Sequence, residues 1–299
     1  MIWLIGNKGM LGSDVAAALV KTGADFISSD KEVDISDRTV VEKFLGNRQI
    51  KWIINAAAYT DVDGAESNQE TAFRINAEAV KNLAEVASAR GAGLVHISTD
   101  YVFDGANKSG YSEDDKTSPL NVYGESKLKG EFYIRDILDS HYIIRTSWLY
   151  GERGKNFVLT MMNLLGQKEE IKVVSDQIGS PTYSADLASV LINIINREEP
   201  RFGTYHFSNG ASCSWYEFAC AIYERGREMG LLKKEVNIVS VDTSEFPRPA
   251  RRPAYSLLIK DKIKRELGIN IRDWKEALGD FMRSFALSKS GQGSFAHGS

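Results

Sequence analysis

Short, wholly apolar runs alternate along this chain with longer stretches in which apolar residues return on one side of a helix. Runs of the first kind read as strands buried on both faces, and stretches of the second kind as amphipathic helices. In the first half the strands fall at 2–5, 25–27, 52–55, 94–97 and 142–144. The helices between them fall at 10–21, around 40–45, at 72–90 and at 122–138. The longest of these carries Ile75, Val80, Leu83, Ala84 and Ala87 on one side and ends at Gly91, a residue suited to stopping a helix. Strand and helix in strict alternation predict an α/β protein whose doubly wound parallel sheet is covered by helices on both sides.

The alternation loosens after about residue 150. Helices are expected at 157–165, 185–195, 216–227 and 274–285, and short strands at 172–174, 204–207 and 237–239. The stretch 246-FPRPARRPAYS-256 holds three of the six prolines and three arginines, so it predicts an ordered, extended segment. Residues 1–150 are thus expected to form the lobe that holds this sheet, to which some later segments return. Residues 151–286 are expected to form a smaller α/β lobe over the carboxyl edge of the sheet, and 287–299 a flexible tail.

Composition narrows the class without deciding it. Of the 299 residues 43% are hydrophobic and 26% charged, a soluble globular balance, and a net charge of −3 offers no footprint for nucleic acid or an anionic membrane. An anionic ligand must then be held by a few local cations or helix N-termini. Cys213 and Cys220 build no disulfide framework and read as buried small side chains in a reducing compartment. The N-terminal MIWLIGNKGMLG has no basic leader, and nowhere do 18 apolar residues run together. A cytoplasmic protein is expected.

Candidate chemistry begins at the first strand–helix junction. Gly6, Gly9 and Gly12 form G-x-x-G-x-x-G there, where a tight turn and the helix N-terminus can receive a pyrophosphate. Asp30 follows the second strand, where an acid can bind the adenosine ribose or merely cap a turn, and Asp34 and Ile35 lie just beyond. Asn55-Ala56-Ala57-Ala58 ends the third strand with small residues, which suits a flat cofactor or a tightly packed corner. The fourth strand ends in 98-STDYVFDG-105, so Thr99 and Asp100 emerge at the ligand-binding edge. Tyr123 and Lys127 stand four apart in 123-YGESKLKGE-131, on one helix face. A free phenol titrates near ~10; a neighbouring ammonium or an oxidised nicotinamide is expected to lower that value. Hydroxyl, phenol, ammonium and a dinucleotide site together equip a chain for hydride transfer to a carbonyl. His96 and His206 sit inside predicted strands and read as core residues, as do Trp3 and Trp52, and four histidines assemble no metal cluster.

These motifs resemble the extended short-chain dehydrogenase/reductase superfamily and, within it, the dTDP-4-dehydrorhamnose reductase family. The finer matches are 55-NAAAYTDVDGAE-66, STDYVFDG, YGESKLKGE, 145-RTSWLYG-151, 176-DQIGSPTYSADLA-188 and 248-RPARRPAYSLL-258, covering residues 1 to about 286. The resemblance implies a Rossmann lobe with a smaller substrate lobe. It also implies reduction of the C4 ketone of dTDP-4-dehydro-L-rhamnose by NADPH or NADH, for rhamnose-containing cell-surface polysaccharide. By that resemblance Tyr123 gives the proton to the sugar C4 oxygen, Lys127 binds the nicotinamide ribose and tunes Tyr123, and Thr99 orients the carbonyl. Asp100 and Trp148 match sugar contacts. Gly9, Met10, Leu11, Asp30, Asp34, Ile35, Ala58, Tyr59 and Thr60 match positions lining the cofactor, with Tyr59 replacing the family's histidine. Arg251 and Arg252 suit a substrate diphosphate. Some members hold Mg²⁺ between subunits, which would fall to Asp14 and Asp186, against the plainer reading of surface carboxylates; a homodimer stays open.

Tyr101 stands where a sugar-nucleotide dehydratase would need a second carboxylate beside Asp100, and where an epimerase would carry a small residue. A reductase of a related UDP- or dTDP-linked keto-deoxy sugar fits the same motifs. A regulatory subunit without catalysis would be expected to have lost Tyr123 or Lys127, and both are present. Nicotinamide preference stays open too: Asp30 opposes a 2′-phosphate, while Lys31 beside it can compensate.

Overall fold

The computed structural model describes residues 1–293. Its centre is a six-stranded, wholly parallel sheet. The strands are β1 (Ile2–Ile5), β2 (Phe26–Ser29), β3 (Trp52–Asn55), β4 (Gly93–Thr99), β5 (His141–Thr146) and, from the second half, β10 (Gly203–His206). Their order across the sheet is β10-β5-β4-β3-β1-β2. The order reverses between β1 and β3, and a doubly wound sheet opens its ligand crevice at the carboxyl ends of such a pair.

Side-chain alternation explains why both faces are covered. Leu4, Ile54, Val95, Tyr142 and Ile144 point to one side, where α1 (Met10–Lys21), α8 (Ser184–Ile195) and α10 (Asp261–Leu267) close the core. Trp3, Ile5, Ile53, Leu94 and Ile143 point to the other, beneath α2 (Arg38–Leu45), α5 (Ala79–Arg90) and α6 (Val122–Ile137). The remaining early helices, α3 (Val62–Ser67) and α4 (Gln69–Phe73), lie between β3 and α5 in the chain.

A further apolar cluster belongs to later residues. It joins α7 (Phe157–Gln167), α9 (Trp215–Glu228) and α11 (Trp274–Gly293) through Val158, Leu165, Phe218, Ile222, Ala277 and Phe281. Three short ladders frame it: β6 (Leu149–Tyr150) with β9 (Thr182–Tyr183), β7 (Glu170–Val174) with β12 (Asn237–Val241), and β8 (Ile178–Gly179) with β11 (Cys213–Ser214). Residues 246–256 form neither helix nor regular strand and are tied down by an isolated bridge from Tyr255 to Ile178.

The structure departs from the sequence reading at four places. The second strand reaches Ser29 because its hydroxyl accepts the Trp3 indole N–H at 2.9 Å, a buried polar pair that apolar counting passes over. The long helix expected at 72–90 is interrupted by a π-turn at Arg74–Glu78. The five-residue step from Ile75 to Val80 is the spacing such a turn produces. Cys220 is only half-buried, while Cys213 is buried; both are free thiols. Finally, α11 runs on to Gly293, so 287–293, expected in the tail, are helical. Extending an existing helix costs little once the turns around Phe281 and Met282 are packed. Residues 294–299 of the expected tail lie outside the described residues.

Candidate functional site

The glycine turn is built by close approach. Gly6 has φ +80°, and a Cβ on it would stand 2.9 Å from the Ala57 backbone nitrogen. A Cβ on Gly12 would lie 2.0 Å from the Gly6 carbonyl oxygen, so α1 can pack on the turn only with glycine there. Gly9 is the N-cap, no side chain caps the helix, and no acidic residue occupies its first turn. The free N–H groups of Met10, Leu11 and Gly12 therefore open at the β1/β3 crevice, a cradle that fits a diphosphate. Asn7 is fixed through Nδ2 to Ser28 Oγ at 3.0 Å, and its buried Oδ1 has no partner among the described residues. Leu11 buries its side chain in the core and so can offer only its backbone, while Met10 packs toward Gly151.

The acids beyond β2 have defined local duties. Asp30 Oδ1 accepts the Lys31 N–H at 2.8 Å, as a turn cap does. Asp34 accepts the Ser36 hydroxyl at 2.6 Å and its N–H at 2.9 Å, bonds that hold its carboxyl below the usual range, with Arg74 at 3.6 Å. Ile35 is buried in the core. Across the crevice, Asn55 Oδ1 accepts the Ala57 N–H, and Asn76 grips both backbone groups of Tyr59 at 2.8 and 3.0 Å. Ala58 and Tyr59 are half-buried there and Thr60 is exposed.

Thr99 and Asp100 sit at the end of β4, 5% and 4% exposed, and Thr99 Oγ1 donates to Asp100 Oδ1 at 3.0 Å. Tyr123 lies in the first turn of α6, where the Thr99 hydroxyl and the Asp100 carboxyl act on its phenol. That turn is placed by Asn121, whose side chain accepts the Gly124 N–H, and by Glu66, which accepts the Val122 N–H at 3.0 Å. Gly124 is required because a Cβ would stand 2.2 Å from the Tyr101 carbonyl oxygen; the Tyr101 ring meets Tyr123 edge-on at 5.7 Å. Burial pushes the Tyr123 phenol up to about 12, Thr99 pulling it back and Asp100 adding to the rise. The expected lowering by Lys127 is therefore not found in the free protein: loss of water outweighs any neighbouring cation. At neutral pH the phenol is protonated, the state a proton donor needs.

Lys127 is 2% exposed, and its Nζ donates to the Ile97 carbonyl at 2.6 Å. Burial draws its ammonium down to about 8, opposed by Glu131. Asp100 is pushed up to about 6 by burial, against the Ser256 and Thr99 hydroxyls, and its Oδ2 has no hydrogen-bond partner among the described residues.

Trp148 adopts φ +47°, a conformation bulky side chains avoid. It stacks on Trp215, 3.5 Å between centroids and 7° between planes, and Gly179 leaves room for its indole. Arg252 is not a free cation, because Asp63 pairs with it at 3.0 Å; Arg251 is exposed and makes no ion pair among the described residues. Asp186 is engaged by Arg272 at 2.7 Å and by Asn209, and Asp14 accepts from Ser184. No group of three metal-ligating side chains occurs among the described residues.

Several residues here were invisible as site residues in the sequence. His96 is fully buried as expected, yet it stands 3.3 Å from Lys127 Nζ and 3.2 Å from Asn55 Nδ2. Asn76 projects from the π-turn, and Glu131 receives both Arg145 and Ser98 beneath Lys127. The five-residue apolar step could have flagged the π-turn; nothing local flags the others.

The family profile of the RmlD substrate binding domain matches residues 1–287. The dTDP-4-dehydrorhamnose reductase of Aggregatibacter actinomycetemcomitans is 40% identical over 289 residues, 95% of this chain and 98% of that one. The Bacillus subtilis spore coat polysaccharide biosynthesis protein SpsK is 42% identical over 283 residues, 94% and 96% of the two chains. The crystal structure of a Bacillus anthracis dTDP-4-dehydrorhamnose reductase in complex with NADP superposes with a TM-score of 0.89, at 39% identity, over 95% of this chain and 98% of that one.

Proposed function

The chain belongs to the dTDP-4-dehydrorhamnose reductase family, and from that premise we propose how its residues carry the reaction. It is an NAD(P)H-dependent oxidoreductase that reduces the C4 ketone of dTDP-4-dehydro-L-rhamnose to the alcohol of dTDP-L-rhamnose. The glycine turn and the open N-terminus of α1 would hold the dinucleotide, which supplies the hydride to C4.

The observation that carries the residue assignment is the convergence of Thr99, at the end of β4, and Tyr123, in the first turn of α6, with Lys127 one turn further on. Thr99 fixes the ketone oxygen at hydrogen-bond distance, and Tyr123 gives that oxygen its phenol proton as the hydride arrives at carbon. Lys127 holds the nicotinamide ribose. Asp100 presents its unpartnered Oδ2 to a sugar hydroxyl, and a partnerless buried carboxylate oxygen gains most from such a donor. Trp148, braced by Trp215, supplies a flat wall for the sugar. Arg251 meets the diphosphate as a free cation, while Arg252 reaches it only by sharing its charge with Asp63. A homodimer in the cytoplasm completes the reading, and light scattering of the purified protein tests the assembly.

The test is turnover with a dTDP-4-keto-6-deoxy-hexose, read as nicotinamide oxidation. Tyr123→Phe is expected to abolish it nearly completely with cofactor binding retained. Wild-type-like turnover in that variant removes Tyr123 from its role. Oxidation driven by a UDP-hexulose and not by the dTDP sugar favours the related reductase, and none with either favours a regulatory subunit.

A further inference from the structure

One buried polar chain runs beneath the site, and the direction of every hydrogen bond in it is fixed from one end. The Ala57 N–H is a backbone donor and cannot reverse; it donates to Asn55 Oδ1 at 3.1 Å. The Asn55 amide is thereby turned with Nδ2 toward His96 Nδ1, at 3.2 Å. An amide nitrogen only donates, so Nδ1 accepts, and a neutral imidazole then carries its proton on Nε2. The imidazole is neutral because burial, with Lys127 second, holds it well below the ordinary histidine range. Nε2 stands 3.3 Å from Lys127 Nζ. An ammonium has no lone pair, so this bond closes only when Lys127 is an uncharged amine that accepts from His96 and donates to the Ile97 carbonyl at 2.6 Å.

We propose that His96 is a positioning residue that holds Lys127 as an uncharged amine in the free protein, its proton polarity being set by Ala57 through Asn55. Burial already brings the lysine to about 8, and a donor aimed at Nζ acts in the same direction. The charged groups facing the pair are Glu131 from α6, which favours the ammonium, and through it Arg145 from β5 and Arg135 from α6; Asp100 lies against Tyr123 at the end of β4. Because Glu131 is shared with two arginines and Ser98, its pull on Lys127 is diluted. An uncharged Lys127 leaves Tyr123 its proton, which a ketone reduction consumes. That consequence rests on the reductase reading; the tautomer and the lysine's charge do not.

Long-range proton–nitrogen NMR of the free wild-type protein at neutral pH reads the His96 tautomer directly. The Nε2–H form is expected, with Lys127 Nζ already uncharged at that pH, its titration lying below the value of about 8 to which burial draws it. An Nδ1–H tautomer, an imidazolium or a Lys127 ammonium at that pH would overturn the proposal. Asn55→Asp reverses the chain, since a carboxylate accepts from both the Ala57 N–H and a His96 Nδ1–H. The His96 tautomer is then expected to switch and the Lys127 titration to rise by about one pH unit or more, a tenfold change. Asn55→Asp combined with His96→Phe controls for the added charge, and the rise should shrink by at least about half when His96 is absent. An equal rise in both backgrounds would remove His96 from the chain of cause. Should either variant fail to fold, the wild-type tautomer decides alone. No turnover with the dTDP or UDP sugar beside an intact Nε2–H tautomer overturns the reductase reading and leaves the His96 arrangement standing.

Discussion

Glu131→Gln is the substitution whose cost the structure defines most closely. Glu131 is fully buried, and it receives Arg145 through two bonds, Nε to Oε1 at 2.9 Å and Nη2 to Oε2 at 2.7 Å. Ser98 adds a third at 2.5 Å and Arg135 a fourth at 3.1 Å. Glutamine keeps the shape and one acceptor but turns an NH₂ group toward a guanidinium that is itself only 3% exposed. A buried cation stripped of its partner typically costs about 3–5 kcal/mol. For a chain of this size that is a fall in Tm of about 6–10 °C, at roughly 2 °C per kcal/mol. Urea denaturation followed by circular dichroism checks it, with the midpoint falling and the slope unchanged. Arg145→Met in the Glu131→Gln background removes the stranded cation, so the double variant should regain a large part of the loss. The sign with pH is also fixed. Burial raises the Glu131 carboxyl, but Arg145, Ser98 and Arg135 outweigh it, and the folded value lies below 4.5. The unfolded chain therefore binds a proton first, so the pair's contribution is complete above pH 4.5 and is lost as pH falls through the lower folded value. A loss under about 1 kcal/mol for Glu131→Gln, or a double variant no more stable than the single, would refute the account of this pair as a compensated buried charge.

Tyr123→Phe should lower kcat by about 10²–10⁴, the usual reach of a positioned proton donor, with the dissociation constant for NADPH unchanged within error by fluorescence titration. Gly12→Ala drives a Cβ to 2.0 Å from a backbone oxygen that cannot step aside, so cofactor binding should be lost before any other property; retained binding in a folded variant would count against the glycine turn. Below pH about 6 Asp100 takes up a proton, so the sugar-nucleotide KM should rise on acidification, and Asp100→Asn should show the raised KM at all pH values. Asp30→Asn removes a negative charge from the expected ribose position and should move kcat/KM toward NADPH over NADH, by roughly tenfold at a partly exposed site; an unchanged ratio would leave Asp30 a turn cap, as its bond to the Lys31 N–H already makes it.

What the chain discloses in advance follows from how far each interaction reaches along it. The sheet is legible because β1, β3, β4 and β5 are apolar on both faces, and the glycine turn because its three glycines lie within seven residues. Tyr123 and Lys127 are legible because one helix turn joins them. The short helix α3 is not: six residues are too few to show a period, although its Asp61 cap is a recognisable start. Yet α3 sends Asp63 to Arg252 and Glu66 to the N–H of Val122, and so fixes both an arginine expected to meet the substrate diphosphate and the turn that bears Tyr123. The direction of the Tyr123 shift was misjudged for a similar reason. A charged neighbour can be read from spacing, whereas the depth at which a phenol is buried depends on Tyr101 and the packing of β4 against α6.

His96 shows where a better reading was open. A histidine in the run LVHIS, judged alone, is a core residue, and by exposure it is one. The third strand carries its own polar interruption, Asn55, and parallel pairing sets Asn55 directly beside His96. Two polar side chains placed side by side in an otherwise apolar sheet satisfy each other, since a buried donor or acceptor left alone costs more than the pair returns. Once they are paired, the polarity of the chain follows from the first backbone N–H beyond the strand, and the group at its far end, Lys127, inherits it. Polar interruptions in buried strands are therefore best matched with one another before any is assigned to the core: here the match leads from a run of alanines to the charge of the lysine beside the proton donor.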